Sequence, residues 1–170
     1  MTFTTDSRFS NPYLSGTETS NPVPTVTAEI KRLSTDDQLA LLWYVYTEMG
    51  RAITPAAPGA ARLQLAEGLL NQVRQMSFAE QLKFMRDLVN KVSSPATRAY
   101  GVLTANTKLA FWYQLAEWMK EGVVVPMPAD YRLSSAAGQA LERLKQLDMG
   151  QQITVLRSIV VNMGTDPLAI

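Results

Sequence analysis

The sequence predicts an all-α protein. Apolar residues recur at spacings of three and four along most of the chain, the period of a helix with one buried face. Small polar residues stand where helices must start, since they can accept from the free N–H groups of a first turn. Ser77 with Glu80 spells a capping box, and Ser34 with Asp37 repeats the pattern with aspartate. No stretch alternates with the period of two that marks a half-buried strand. The result is seven or eight short helices packed in bundles and joined by short turns.

Taken in order, residues 1–20 are rich in Ser, Thr, Asn and Pro and read either as an extended arm, which Phe3, Phe9, Tyr13 and Leu14 can pin to the body, or as a loosely ordered terminus. The domain proper is expected over 21–165, and 166–170 as a tail. Pro24 starts a short helix over 25–33, because its fixed φ suits a first turn. Ser34 caps a helix over 34–51 that gathers Leu39, Leu42, Trp43, Tyr46 and Met49 on one face. The prolines of 53–59 break the chain. A helix over 60–75 follows, whose Ala60, Ala61, Ala66 and Gly68 leave room for close approach. Next comes a helix over 77–92 with Phe78, Leu82, Met85 and Val89 as its core stripe. Residues 93–105 connect, with one helical turn near 95–100.

The stretch 106–122 is expected as the central helix, capped by Asn106 and closed by Gly122. Leu109, Trp112, Leu115 and Met119 share its apolar face, Tyr113 and Trp118 flank it, and Lys108 falls elsewhere. Val123, Val124, Val125, Pro126, Met127 and Pro128 favour an extended path. A helix over 135–147 and a last one over 149–163, capped by Asp148 and ended by Gly164, complete the chain. The run from Leu39 to Tyr44 echoes that from Leu109 to Tyr113, which fits either equivalent helices in two sub-bundles or two cores of similar composition.

Composition narrows the function. The 170 residues carry 16 basic and 15 acidic groups, which gives no global electrostatic reason to bind nucleic acid. There is no apolar run of the roughly 18 residues a membrane span needs, and the N-terminal segment lacks the basic-then-apolar pattern of a secretory signal. Cysteine and histidine are absent, which removes most zinc sites, Ser-His-Asp triads and histidine acid–base catalysis. No glycine-rich phosphate loop occurs. Glu48 and Glu117 are carboxylates at equivalent positions, and each reads as a surface ion pair. A binding role is therefore expected ahead of an enzymatic one.

Aromatic and methionine residues at helical spacing are ordinarily core. Buried Trp and Tyr, however, must find partners for N–H and O–H, so a plain core favours Leu and Ile. Trp43 with Tyr46, Trp112 with Tyr113, and the flexible Met49, Met119 and Met127 suit a long, flat, apolar guest held between helices. Haem lacks its usual His or Cys ligand, and a flavin or nucleotide calls for more placed polar groups.

Residues 34–59, 106–119, 125–128 with Tyr131, and 150–157 resemble the N-terminal domain of the cyanobacterial orange carotenoid protein and its free-standing homologues, the helical carotenoid proteins. The resemblance runs from about residue 20 to 165. It implies two interleaved four-helix bundles with a keto-carotenoid, canthaxanthin or echinenone, between them. It also implies that Trp43, Tyr46, Trp112 and Tyr113 pack on the rings and polyene, and that Leu39, Met49, Ile53, Leu109, Met119, Pro128 and Tyr131 line the tunnel. Asn106 and Arg157 match residues that meet a C-terminal domain, Arg157 also in docking to the phycobilisome. Leu103 stands where a tryptophan is frequent, and Glu29 replaces a basic residue, which weakens antenna docking.

The resulting expectation is a cytoplasmic, carotenoid-binding photoprotective protein, a monomer or weak dimer, that quenches singlet oxygen. With the chain ending at residue 170, a two-domain light switch is not expected in it alone. The alternatives are a quencher docked on the phycobilisome at the thylakoid surface, a carrier exchanging pigment with a C-terminal-domain homologue, and a ligand-free helical interaction domain.

Overall fold

The computed structural model describes the backbone of residues 21–53 and 63–168 and the side chains of 21–48 and 63–168. Eight α-helices form, and no strand occurs among the described residues. Helices α1 (Val23–Lys31) and α2 (Thr35–Ile53) come first. A 3-10 turn (Leu63–Ala66) leads into α3 (Glu67–Gln75), α4 (Phe78–Asn90), α5 (Pro95–Gly101) and α6 (Ala105–Glu121), and α7 (Ser135–Gln146) and α8 (Met149–Val161) close the chain. The predicted arm over 1–20, the break at 54–59 and the alanines 60 and 61 lie outside the described residues.

The chain builds two four-helix bundles. In one, α1 packs on α7 and α8, and α2 packs on α7. In the other, α5 holds α3 and α4, and the 3-10 turn leans on α6. The bundles interleave because α2 also reaches α4 and α6, and α6 reaches α8. Phe111 of α6 sits at the junction, edge-on to Phe84 of α4 at 6.3 Å and to Tyr100 of α5 at 5.4 Å between ring centroids. Such edge-to-face pairs add about 0.5–1.5 kcal/mol beyond the area they bury.

Helix starts follow the sequence signals closely. Ser34 accepts from the Asp37 N–H, Ser77 and Glu80 form the reciprocal capping box, and Asp148 pairs with Gln151 in the same way. The central helix is an exception. Thr104, not Asn106, caps α6 by accepting from the Thr107 N–H, and Asn106 turns instead to Arg157. Gly122 closes α6 in the left-handed conformation, as expected.

Three further expectations are corrected. Phe78 is half exposed, so the core stripe of α4 is Gln81, Phe84, Met85 and Leu88, rotated from the expected one. Phe78 is the first residue of its helix. Gly68 faces open space, so nothing approaches α3 there. Lys108 is buried: its Nζ donates to the Val161 carbonyl at 3.2 Å and lies 5.2 Å from the Tyr100 ring centroid. Val161 ends α8, where unpaired carbonyls and the negative dipole end favour a cation. Burial lowers the Lys108 pKa, and Asp166 opposes the shift.

Gln81 shows how the extended segment after α6 is fixed. Its Nε2 donates to the carbonyls of Val73 and Val123, and its Oε1 accepts from the Val125 N–H at 2.8 Å. The bonds to Val123 and Val125 satisfy backbone groups that lie beyond any helix, and the whole set ties the segment after α6 to α3 and α4.

Gly164, just beyond α8, combines a φ of 76° with tight surroundings: a Cβ there meets Tyr100 Cδ1 at 2.7 Å and the Thr97 carbonyl at 3.0 Å. Gly164→Ala is expected to cost about 1–3 kcal/mol in urea unfolding. Gly138, inside α7 with nothing within 4 Å, is expected to gain about 0.5–1 kcal/mol on replacement by Ala. Equal effects at the two positions contradict this reading.

Candidate functional site

A cavity opens between α2, α4, α6 and the segment 125–131. Its walls are almost wholly apolar. Helix α2 supplies Leu39, Trp43 and Tyr46, α4 supplies Leu82 and Met85, and α6 supplies Trp112, Ala116 and Met119. Residues 125–128 and Tyr131 complete it, and the rim carries Asp36 and Arg86. The volume is about 140 Å³, and an apolar protein cavity of about 150 Å³ is enough to take up a benzene ring. The cavity is thus about the size of a single six-membered ring.

Tyr46, Trp112 and Tyr131 spend their polar hydrogens on protein partners. Tyr46 donates its hydroxyl to the Leu109 carbonyl at 3.0 Å, which also ties α2 to α6. Trp112 donates its Nε1–H to the Tyr100 hydroxyl at 3.0 Å, and Tyr100 donates onward to the Val160 carbonyl at 2.6 Å. Burial raises the pKa of both Tyr46 and Tyr100 far above the ordinary tyrosine value, so both stay neutral. Tyr131 donates to Asp37 Oδ1 at 2.8 Å. Burial and that carboxylate push the Tyr131 pKa up to about 12. Burial on its own raises the Asp37 pKa, but hydrogen bonds from Ser134, Tyr131 and Ser34 outweigh it and hold the carboxyl below its usual range.

Leu39, Trp43, Tyr46, Trp112, Met119, Pro128 and Tyr131 therefore come together on one wall system. Leu109 is core and contributes its carbonyl, and Tyr113 sits behind Tyr46, with ring centroids 6.3 Å apart. Neither lines this cavity. Met49 and Ile53 fall outside the described side chains. Leu82, Met85, Asp36 and Arg86 line the cavity without having been singled out as site residues. Met85 was legible as an inward α4 residue, whereas the Asp36–Arg86 pair joins positions fifty apart and leaves no local signal.

Away from the cavity, Arg157 donates to Asn106 Oδ1 at 3.1 Å, so the two expected interface residues meet each other on the surface between α8 and α6. Glu29 pairs with Arg143 of α7. Glu48 and Glu117 pair with Lys145 and Lys120. No helix of the described residues is long and apolar enough to cross a membrane, and they contain no cluster of three metal-ligating side chains.

Two interleaved helical bundles that enclose a ring-sized aromatic cavity define a helical domain built to hold a flat apolar guest. The chain belongs to the family described as orange carotenoid protein, N-terminal, whose model matches residues 16–166. It is 60% identical to an orange carotenoid-binding domain-containing protein of Nostoc sp. (strain PCC 7120), over 99% of both chains. The Red Carotenoid Protein of Anabaena (Nostoc) sp. PCC 7120, solved binding canthaxanthin, superposes with a TM-score of 0.77 at 40% identity, over 85% of this chain and 99% of that one. The Orange Carotenoid Protein of the same organism, also solved binding canthaxanthin, gives a TM-score of 0.79 at 53% identity, over 86% of this chain. This chain spans about half of that protein's length, 47%.

The Tyr131–Asp37 bond makes a pH-dependent prediction. A carboxyl whose folded pKa lies below its unfolded value stabilises fully above the unfolded value, about 3.9, and loses that contribution as pH falls through the folded one. Tyr131→Phe removes one of the bonds that lower the Asp37 pKa. The variant is expected to lose about 1–2 kcal/mol at pH 7 and to converge on the parent near the acid limit. Urea unfolding at both pH values checks this, and an equal loss at both contradicts it.

Proposed function

We propose that this chain is a keto-carotenoid-binding photoprotective protein whose pigment quenches singlet oxygen. The observation that supports the reading best is the ring-sized cavity with Trp43, Tyr46 and Trp112 on its walls. A carotenoid ends in a six-membered ring attached to a flat, polarisable polyene. The cavity suits the ring, and Met85, Met119 and Met127 supply adaptable, polarisable surface around it. Canthaxanthin, bound by the two solved relatives, has this shape and chemistry. Leu39, Leu82, Pro128 and Tyr131 exclude water from the ring, and Tyr113 packs edge-on to Tyr46 and so supports that wall.

In this function no side chain acts as acid, base or nucleophile. Quenching is energy transfer from singlet oxygen to the low-lying triplet state of the pigment. The protein keeps the pigment dispersed in water and holds it where oxygen can reach it.

The exposed Arg157–Asn106 pair supports a second role, exchange of pigment with a C-terminal-domain homologue or docking on the phycobilisome. Mixing the loaded protein with either partner distinguishes the two. Colour transfer on gel filtration marks exchange, and loss of phycobilisome fluorescence marks docking. Neither response leaves the protein as a stand-alone quencher.

Trp112→Ser removes an aromatic wall and leaves the Tyr100 hydroxyl without its donor. In cells that make canthaxanthin, the variant is expected to retain less than about a third of the parent's pigment, to shift its absorption maximum, and to protect correspondingly less against singlet oxygen. Unchanged yield and spectrum in a folded variant refute the assignment of Trp112 to the site.

A further inference from the structure

The cavity has one charged feature, and it lies at the rim. Arg86 of α4 donates from Nε to Asp36 Oδ1 at 2.9 Å and from Nη2 to Oδ2 at 3.0 Å, and both residues line the cavity. Their side chains are 46% and 44% exposed, so the pair meets solvent on one side and the apolar wall on the other. An exposed ion pair adds little to stability, typically about 0–1 kcal/mol. Folding alone gives little reason to place it on an otherwise apolar binding wall.

The hydrogen-bonding inventory of the wall gives it a role. Tyr46, Trp112 and Tyr131 have committed their polar hydrogens to Leu109, Tyr100 and Asp37. A guanidinium carries five N–H groups in a fixed plane. Asp36 takes two and fixes that plane, and three remain. We infer that Arg86, held by Asp36, is a specificity-determining residue that donates a hydrogen bond to a keto oxygen on the terminal ring of the bound carotenoid. This rests on the carotenoid-binding reading above.

A ring carbonyl accepts and cannot donate, so it matches a surplus cationic donor and not the carboxylate beside it. Hydrogen bonds to a charged donor are roughly twice as strong as neutral ones. A hydrocarbon ring fills the same cavity but offers Arg86 nothing. The apolar walls then set affinity for rings in general, and the rim sets the preference among them.

The test loads the protein from an equimolar mixture of canthaxanthin and β-carotene, extracts the pigment and measures the ratio bound. The parent is expected to favour canthaxanthin. Arg86→Leu is expected to reduce that preference about tenfold, with β-carotene uptake unchanged within about twofold when it is offered alone. Lys83→Leu removes another cation of α4, one that pairs with Asp87 away from the cavity, and is expected to keep the preference. An unchanged ratio in Arg86→Leu, or a preference lost equally in Lys83→Leu, overturns the inference. Uptake of neither pigment by the folded parent refutes the carotenoid-binding reading itself, which separates the two failures.

Discussion

The structure depends on where buried tyrosines and tryptophans put their polar ends. An aromatic wall is useful to an apolar guest only if no unsatisfied N–H or O–H faces it, since each such group costs about 1–3 kcal/mol when buried alone. Here the polar ends of Tyr46 and Trp112 are bonded to neighbouring helices. The indole of Trp112 passes its N–H to Tyr100, which passes its own hydrogen to the end of α8. The hydroxyl of Tyr46 crosses to α6. The same bonds therefore do two jobs: they clear the cavity of polar groups and they fasten the bundles that form it.

That coupling explains the position of α6 in the molecule. Its apolar face meets the cavity through Trp112, Ala116 and Met119, while Phe111 packs among α4 and α5. Lys108 and Asn106, at its beginning, reach α8 through Val161 and Arg157. The cavity wall and the exposed Arg157 surface are thus carried by α6 and its neighbour α8.

Much of the fold was legible because caps and periodicity are local. Ser34, Ser77, Asp148 and Gly122 act where the sequence placed them. Most of the aromatic wall was also legible, because a buried Trp or Tyr is expensive and so points to a purpose. Misreadings came from long-range competition. Asn106 is a good cap residue, but Arg157, far along the chain, takes its side-chain oxygen and Thr104 does the capping. Lys108 reads as a surface charge until the end of α8 offers it a carbonyl. Gln81 and the Asp36–Arg86 pair answer to partners dozens of residues away, and no window of sequence displays them.

Carotenoid binding in the aromatic cavity is tested most directly by the absorption spectrum of the purified chain from keto-carotenoid-producing cells, followed by pigment extraction. Binding predicts a coloured protein carrying keto-carotenoid, with absorption shifted from that of the same pigment in organic solvent. A folded, colourless protein from those cells contradicts it.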